Sequence, residues 1–171
     1  MGGTTVDEAE RGALRRRAAR AFSNAPRAAL AEHWLAWADR PGVEVLRGPE
    51  PGLVMVQGRI GGTGDRFNLG EATVTRATVR LSGGALAAPS IGTAYVLGSD
   101  VEHAGLAAIF TALLADEATH DTVIAEVVEP LEAALADRDR AVRTAARTTV
   151  VDFFTVAREN AGALASDEDD E

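Results

Sequence analysis

The chain has 171 residues, a formal net charge of -9 at pH 7, 46% hydrophobic residues and 25% charged residues, a composition that fits one soluble globular domain. It has no cysteine and all 17 of its basic residues are arginine, which excludes disulfides, thiolate metal sites, iron–sulfur ligation, Schiff-base lysines and lysine-dependent phosphate loops. No run approaches the roughly 20 apolar residues of a membrane helix, and the N-terminus lacks the apolar core of a secretory signal, so we expect a cytoplasmic protein.

Acidic residues are concentrated at the C-terminus, where residues 167–171 are all Asp or Glu. A block of like charge is typical of a solvated, disordered tail. We therefore predict a flexible N-terminus over residues 1–6, a single α+β domain over residues 7–162 and a disordered acidic tail over residues 163–171. The acidic composition does not favour nucleic-acid binding, which needs a basic surface.

Two helices are predicted at the N-terminus. Over residues 7–24, Leu14, Ala18 and Phe22 are spaced by four and share one side of a helix, while arginines crowd the rest of its surface. Residues 29–38 continue as a short second helix, which a Pro-Gly pair then ends.

Four strands are predicted next. The segment VEVLRGPEPGLVMVQGRI contains two β-rich runs separated by glycines and prolines, and this punctuation predicts a hairpin between the runs. In the second run Val54, Val56 and Ile60 share one face. The other face carries Leu53, Met55, Gln57 and Arg59. Two further strands are predicted over residues 72–81 and 91–97.

Helices are predicted again after the sheet. Ser99 and Glu102 fit a capping box ahead of a core-facing apolar series at Leu106, Ile109, Phe110 and Leu113. Pro130 suits the first turn of a later long helix, whose apolar stripe extends to Phe153 and Phe154. This order predicts an α+β fold, with an antiparallel β-meander of about four strands covered by N-terminal and C-terminal helices.

A glycine-rich segment, GGTGDRF, lies between two of the predicted strands. It lacks the lysine of a Walker A loop, and it lacks the third glycine and the following helix of a dinucleotide-binding loop. Its glycines allow positive φ, close approach of another backbone, or an anion nest. Four arginines lie near this segment in sequence: Arg59, Arg66, Arg76 and Arg80. Their guanidinium forks suit phosphate, phosphonate or the carboxylates of a partner. The spacing does not decide between an interface or structural role and a direct phosphate site.

Asp100 and His103 stand three residues apart at a predicted helix start. This spacing fits a pair of metal ligands or an acid–base unit. Two ligands do not make a metal site, however, and an Asp in the first helical turn beside a hydrogen-bonded His is a common structural arrangement. No serine lies in a G-x-S-x-G elbow. We therefore predict no catalytic residue, no metal site and no cofactor for this chain alone.

Three segments, GGTGDRFNLGEATVTRATVRL, AYVLGSDVEHAGLAAIFTALL and VVDFFTVAR, carry the motifs G-G-T-G-x-R-F, G-x-D-x-x-H-A and V-D-F-F. In order and approximate spacing they resemble the PhnG family of the bacterial carbon–phosphorus lyase pathway, over most of the chain. The resemblance implies an accessory subunit of the carbon–phosphorus lyase core complex. Such a subunit supports transfer of methylphosphonate to the ribose of ATP with adenine release, which gives ribose 1-methylphosphonate 5-triphosphate.

The partners that the resemblance implies are PhnI-like, PhnH-like and PhnJ-like subunits, with ATP and methylphosphonate bound at the level of the complex. The family's marked positions fall on the glycine-rich loop and the helix start. The predicted substrate-binding or interface residues are Arg59, Gly61, Gly62, Thr63, Gly64, Arg66, Arg76, Asp100 and His103. Two alternatives stay open: an enzyme subunit that contributes His103 or Arg66 to an active site at an interface, and an independent phosphate- or nucleotide-binding protein.

Overall fold

The computed structural model describes residues 3–147, with side chains described for residues 8–146. Its helices are α1 (Gly3–Asn24), α2 (Arg27–Ala36), α3 (Val101–Ala115), α4 (His120–Val123) and α5 (Glu129–Arg147), and its strands are β1 (Gly42–Arg59), β2 (Arg66–Ser82) and β3 (Ser90–Leu97). A 3₁₀ turn (Ile60–Gly62) follows β1, and a π-helical segment (Ile124–Val128) links α4 to α5. The predicted acidic tail and the predicted stripe at Phe153 and Phe154 lie outside the described residues.

The described strands form one antiparallel sheet in the order β1-β2-β3. The α+β class is confirmed, but the prediction of about four strands is wrong, because the two β-rich runs around Pro49 form the single strand β1. Since β1 is an edge strand, a proline there need not interrupt the hydrogen-bonded ladder. The register of β1 against β2 shifts between Val45 and Arg47 and again between Arg47 and Glu50. The second bulge contains Gly48 and Pro49, whereas Pro51 and Gly52 stay paired with Thr75 and Val74.

Helix α3 covers one face of the sheet. Alternate residues of β2, including Ala77, Val79 and Leu81, are buried on this side. The helix lies so close to β3 that a Cβ atom at Gly92 would come within 2.1 Å of the Ala108 carbonyl oxygen. Side chains on the opposite face of the sheet stay exposed or half-buried.

The N-terminal helices pack mainly against α3. Phe22 of α1 lies against Phe110 of α3 with ring centroids 5.8 Å apart, and Trp37 meets the same ring edge-on at 6.2 Å. Helix α5 lies beside α1, where Arg17 donates to Glu132 at 2.6 Å. The N-terminal and C-terminal helices thus complete the core around α3. Among residues 3–147, no helix is both long enough and apolar enough to cross a membrane.

Two helix starts differ from the sequence-based expectations. Helix α1 begins at Gly3, so the backbone of residues 3–6, which we assigned to a flexible N-terminus, forms its first turn. Helix α3 is capped by Asp100, whose carboxylate accepts a hydrogen bond from the backbone N–H of His103 at 3.0 Å. The predicted capping box is therefore wrong by one residue, because Asp100 and not Ser99 occupies the extended N-cap position.

Candidate functional site

The β1–β2 hairpin extends far beyond the rest of the sheet. β3 pairs with β2 only from Val74 to Leu81, whereas β1 and β2 stay paired as far as Arg59 and Arg66. We call residues 53–73 the arm. At about 3.3 Å per residue, the arm reaches roughly 25 Å past the last residue that pairs with β3.

One face of the arm is apolar from its base to its tip. Alternation along β1 places Val54 and Ile60 on this face, with exposed fractions of 45% and 66%. Phe67 and Leu69 of β2 lie beside Gly58 on the same face and are 44% and 62% exposed. The described part of the chain therefore leaves these side chains between 44% and 66% exposed.

The other face of the arm is mixed near its base, where Leu53 and Met55 pair with Thr73 and Glu71, and it is polar towards its tip. Leu53 and Met55 are 64% and 53% exposed. Further out, the Gln57 side-chain amide donates to Asn68 Oδ1 at 3.1 Å. A two-stranded ribbon with exposed apolar residues on both faces is unusual for a protein that acts alone, because monomers rarely expose contiguous apolar surface of this extent. The arm therefore has the character of a partner-binding element.

The apolar face of the arm continues onto the uncovered face of the sheet. Val54 pairs with Ala72, and alternation along β2 then leads to Val74 on the same face. Tyr95 and Leu97 of β3 lie beside this position and are highly exposed. A shallow groove of about 210 Å³ runs where the arm meets the sheet, bounded in part by Val74 and Tyr95. The arm and this sheet face thus form one continuous surface.

Arg76 lies at the centre of the uncovered sheet face. Its guanidinium donates to the Glu50 carboxylate, which also accepts from Arg47 Nε at 3.3 Å. The hydrogen bond from Arg76 is the largest cause that lowers the pKa of Glu50, and the hydrogen bond from Arg47 is the second. The same bond to Glu50 raises the pKa of Arg76. The Arg76 Nε atom is buried and has no hydrogen-bond partner among the described residues. Because buried donors are normally paired, this atom is an exception within the described part of the chain.

The glycine-rich loop forms the tip of the arm. Gly61 and Gly62 adopt positive φ angles of 58° and 82°, which non-glycine residues rarely adopt. At Gly64 a Cβ atom would lie 2.7 Å from the Ile60 carbonyl oxygen, so only glycine fits. The glycines thus reverse the chain tightly, and Thr63 lies exposed between them.

Asp100 and His103 have structural partners at the start of α3. The His103 side chain is 8% exposed, and its Nε2 atom donates to the Phe22 carbonyl oxygen at 2.8 Å, since a carbonyl can only accept. Asp100 caps the helix and lies 3.7 Å from the Arg27 guanidinium. Together these contacts connect the start of α3 to the end of α1 and to the start of α2.

The structure divides the predicted site residues into three groups. Arg59, Gly61, Gly62, Thr63, Gly64 and Arg66 are together at the tip of the arm. Arg76 is ten positions further along β2, roughly 30 Å from Arg66 at 3.3 Å per residue. Asp100 and His103 lie at the helix start. Their roles in substrate or partner binding stay predictions, and a single pocket does not unite the three groups.

Sequence reasoning missed the apolar part of this surface. We assigned Leu53 and Met55 to one strand face and Val54 to the other, but we did not interpret either face as a binding surface. The available signal was that both faces of this segment carry apolar side chains, although an antiparallel strand with one solvated face alternates apolar and polar residues.

The described residues include no group of three or more His, Asp or Glu side chains that could hold a metal ion. The fold and the surface define a class of protein: a small α+β domain with an uncovered sheet face and a projecting hairpin that has one apolar face.

Residues 13–159 match the family model described as "Phosphonate metabolism protein PhnG", and the chain belongs to this family. It is also similar to the "Alpha-D-ribose 1-methylphosphonate 5-triphosphate synthase subunit PhnG" of Rhizobium meliloti (strain 1021). The two are 50% identical over 135 residues, which cover 77% of this chain and 83% of the relative.

Proposed function

We propose that this chain is the PhnG subunit of a ribose 1-methylphosphonate 5-triphosphate synthase, and an accessory subunit of a cytoplasmic carbon–phosphorus lyase core complex. In this role it supports transfer of methylphosphonate to the ribose of ATP with release of adenine. The observation that carries the proposal is the 50% identity, over 77% of the chain, to a relative of that name.

The partners that we propose are PhnI-like, PhnH-like and PhnJ-like subunits. The arm supports an assembled state, because Leu53, Met55 and Leu69 are each more than half exposed in the isolated chain. At roughly 25 cal/mol per Å² of apolar surface, covering both faces of the arm would contribute substantially to association. The uncovered sheet face around Tyr95 extends the available surface.

An accessory role fits the local chemistry better than direct catalysis by His103. Its ring is buried and its Nε2 proton is directed at the Phe22 carbonyl, so the side chain acts as a link between α1 and α3. Arg59, Arg66 and Arg76 lie on more open surfaces, and we propose that they contact a partner subunit.

Co-expression with the three proposed partners tests the assignment. With an affinity tag on the PhnI-like subunit, the untagged chain should co-elute with all three partners in size-exclusion chromatography. The assembly should release adenine from ATP when methylphosphonate is supplied, and an otherwise identical assembly without this chain should lose that activity. A chain that elutes alone, with full activity in its absence, would contradict the proposal.

His103→Ala separates the accessory role from the interface-enzyme alternative. If His103 is structural, the variant should lose stability while any assembled fraction keeps its turnover per complex. If His103 is catalytic, turnover should vanish in a complex of normal yield and thermal stability. His103→Gln is the matched variant, because its side-chain amide retains a donor for the Phe22 carbonyl.

A further inference from the structure

The arginines of the sheet have two kinds of surroundings. On the uncovered face, Arg80 donates to Glu44 across the strand pair at 3.0 Å, and Arg76 likewise bonds to a glutamate. At the tip of the arm, Arg59 and Arg66 are instead register partners of each other. Cross-strand partners place their Cβ atoms about 4.5–5.5 Å apart on one face, where like charges repel. The tip therefore concentrates positive charge in a chain that is acidic as a whole.

No acid within the described residues neutralises this pair. The Arg66 side chain forms no hydrogen bond or ion pair there, and Arg59 Nη1 donates to the Gly64 carbonyl oxygen at 3.2 Å. Asp65 is the only acid in the turn, and it forms no ion pair among the described residues. The bond to Gly64 holds one guanidinium against the tip, while most donors of both forks stay available.

We propose that Arg59 and Arg66 together clamp a carboxylate of a partner subunit, so that the tip of the arm is a charge-specific anchor. This inference rests on the proposed function and identifies the chemistry of one contact within it. A guanidinium fork can donate two parallel N–H bonds to the oxygens of a carboxylate, and the register places both forks on one face. An acidic side chain of the partner removes the repulsion between the arginines.

The surroundings of the pair favour a protein carboxylate over a nucleotide phosphate. The opposite face of the tip carries Ile60 and Phe67, which a protein surface covers and a small anion leaves in water. In the assembly, the apolar face supplies contact area and the arginine pair fixes the position of the arm along its partner.

Charge reversal of the pair tests the proposal in the full chain. The binding partner is the assembly of PhnI-like, PhnH-like and PhnJ-like subunits purified without this chain. The experiment measures the apparent Kd between this assembly and the full chain at increasing NaCl. Arg59→Glu combined with Arg66→Glu should weaken binding at least roughly tenfold and flatten the salt dependence. The matched control is Arg15→Glu with Arg16→Glu, which makes the same charge change on the exposed surface of α1.

Each outcome decides a separate point. Weaker binding by the tip variant, with normal binding by the α1 control variant and an unchanged Tm, supports the carboxylate clamp. Equal binding by the wild-type chain and the tip variant overturns the clamp and leaves the proposed function intact. Normal assembly by the tip variant with loss of calorimetric ATP binding also overturns it, and assigns the pair to phosphate. A wild-type chain that does not bind the purified partners overturns the clamp and the proposed function together.

Discussion

Strand β2 passes through two regions that differ in what covers them. Where α3 lies on the sheet, Ala77 and Val79 are at most 2% exposed. In the arm, Phe67 and Leu69 are 44% and 62% exposed, although their side chains are larger and no less hydrophobic. The comparison shows that the apolar residues of the arm are not needed to bury this chain's own core. Their hydrophobic surface is available for another polypeptide.

Two phenylalanines give the strongest test of this contrast. Phe110→Ala should lower the free energy of unfolding by about 3–5 kcal/mol, because the fully buried ring contacts both α1 and the residue after α2. Phe67→Ala, the same change in the arm, should cost less than about 1 kcal/mol. Urea unfolding of the isolated chain measures both values. Equal losses would mean that the arm contributes to the core.

Two exposed leucines test the same contrast in binding to the partner subunits. Leu69→Asp should weaken binding to the partner subunits by about 2 kcal/mol, or roughly 30-fold, because it places a charge on the apolar face of the arm. The control Leu35→Asp changes a leucine of similar exposure on α2 and should bind normally. Both variants should keep the wild-type Tm. Normal binding by Leu69→Asp would remove the apolar face from the interface.

Asp116 tests how the covered region is held together. Burial alone raises the pKa of Asp116, but hydrogen bonds from the backbone N–H groups of Ala87, Ala88 and Ala118 outweigh burial and lower the pKa below its ordinary value of 3.8. Asp116→Asn should cost about 1–3 kcal/mol at neutral pH, because the amide NH₂ would face backbone donors.

The sign of the pH dependence follows from the lowered pKa. The carboxylate contributes stability above pH 3.8, and this contribution is lost as the pH falls through the lower folded-state pKa. The stability difference between wild type and Asp116→Asn should therefore shrink in acid. Unfolding free energies at neutral pH and near pH 3 measure it, and a difference that grows on acidification would contradict the assignment.

The smallest effect is expected at the Arg80–Glu44 ion pair on the uncovered sheet face. Both side chains are largely exposed, so their coupling should be only about 0.2–1 kcal/mol. A double-mutant cycle with Arg80→Ala and Glu44→Ala in urea unfolding measures this coupling. A larger value would show that this face contributes to the fold more than its exposure indicates.

The sequence predicted the covered region well. The spacing of Leu106, Ile109, Phe110 and Leu113 predicted a core-facing helix. The last three are buried in α3, and Leu106 is half-buried against the same core. Alternation likewise predicted a strand over residues 72–81, which is the inner part of β2. These patterns are informative because burial against the chain's own core imposes a period of 3.6 on a helix and of two on a strand.

The arm could not be predicted in the same way. Pro49 and its neighbouring glycines predict a turn in most contexts, and only the edge position of β1 allows the strand to continue through them. Hydrophobic content also does not distinguish residues covered by their own chain from residues covered by a partner. The glycine-rich loop and its arginines were identified as a candidate site, but their distance from Arg76 and from His103 depends on the tertiary fold.

Hydrogen–deuterium exchange tests the partner-binding role of the arm most directly. Backbone amide exchange would be compared between the isolated chain and the chain assembled with its partner subunits. We expect a large gain in protection over the arm, residues 53–73, on assembly, with little change in α3, whose amides are already protected by the core. An arm that exchanges equally fast in both states would contradict the account.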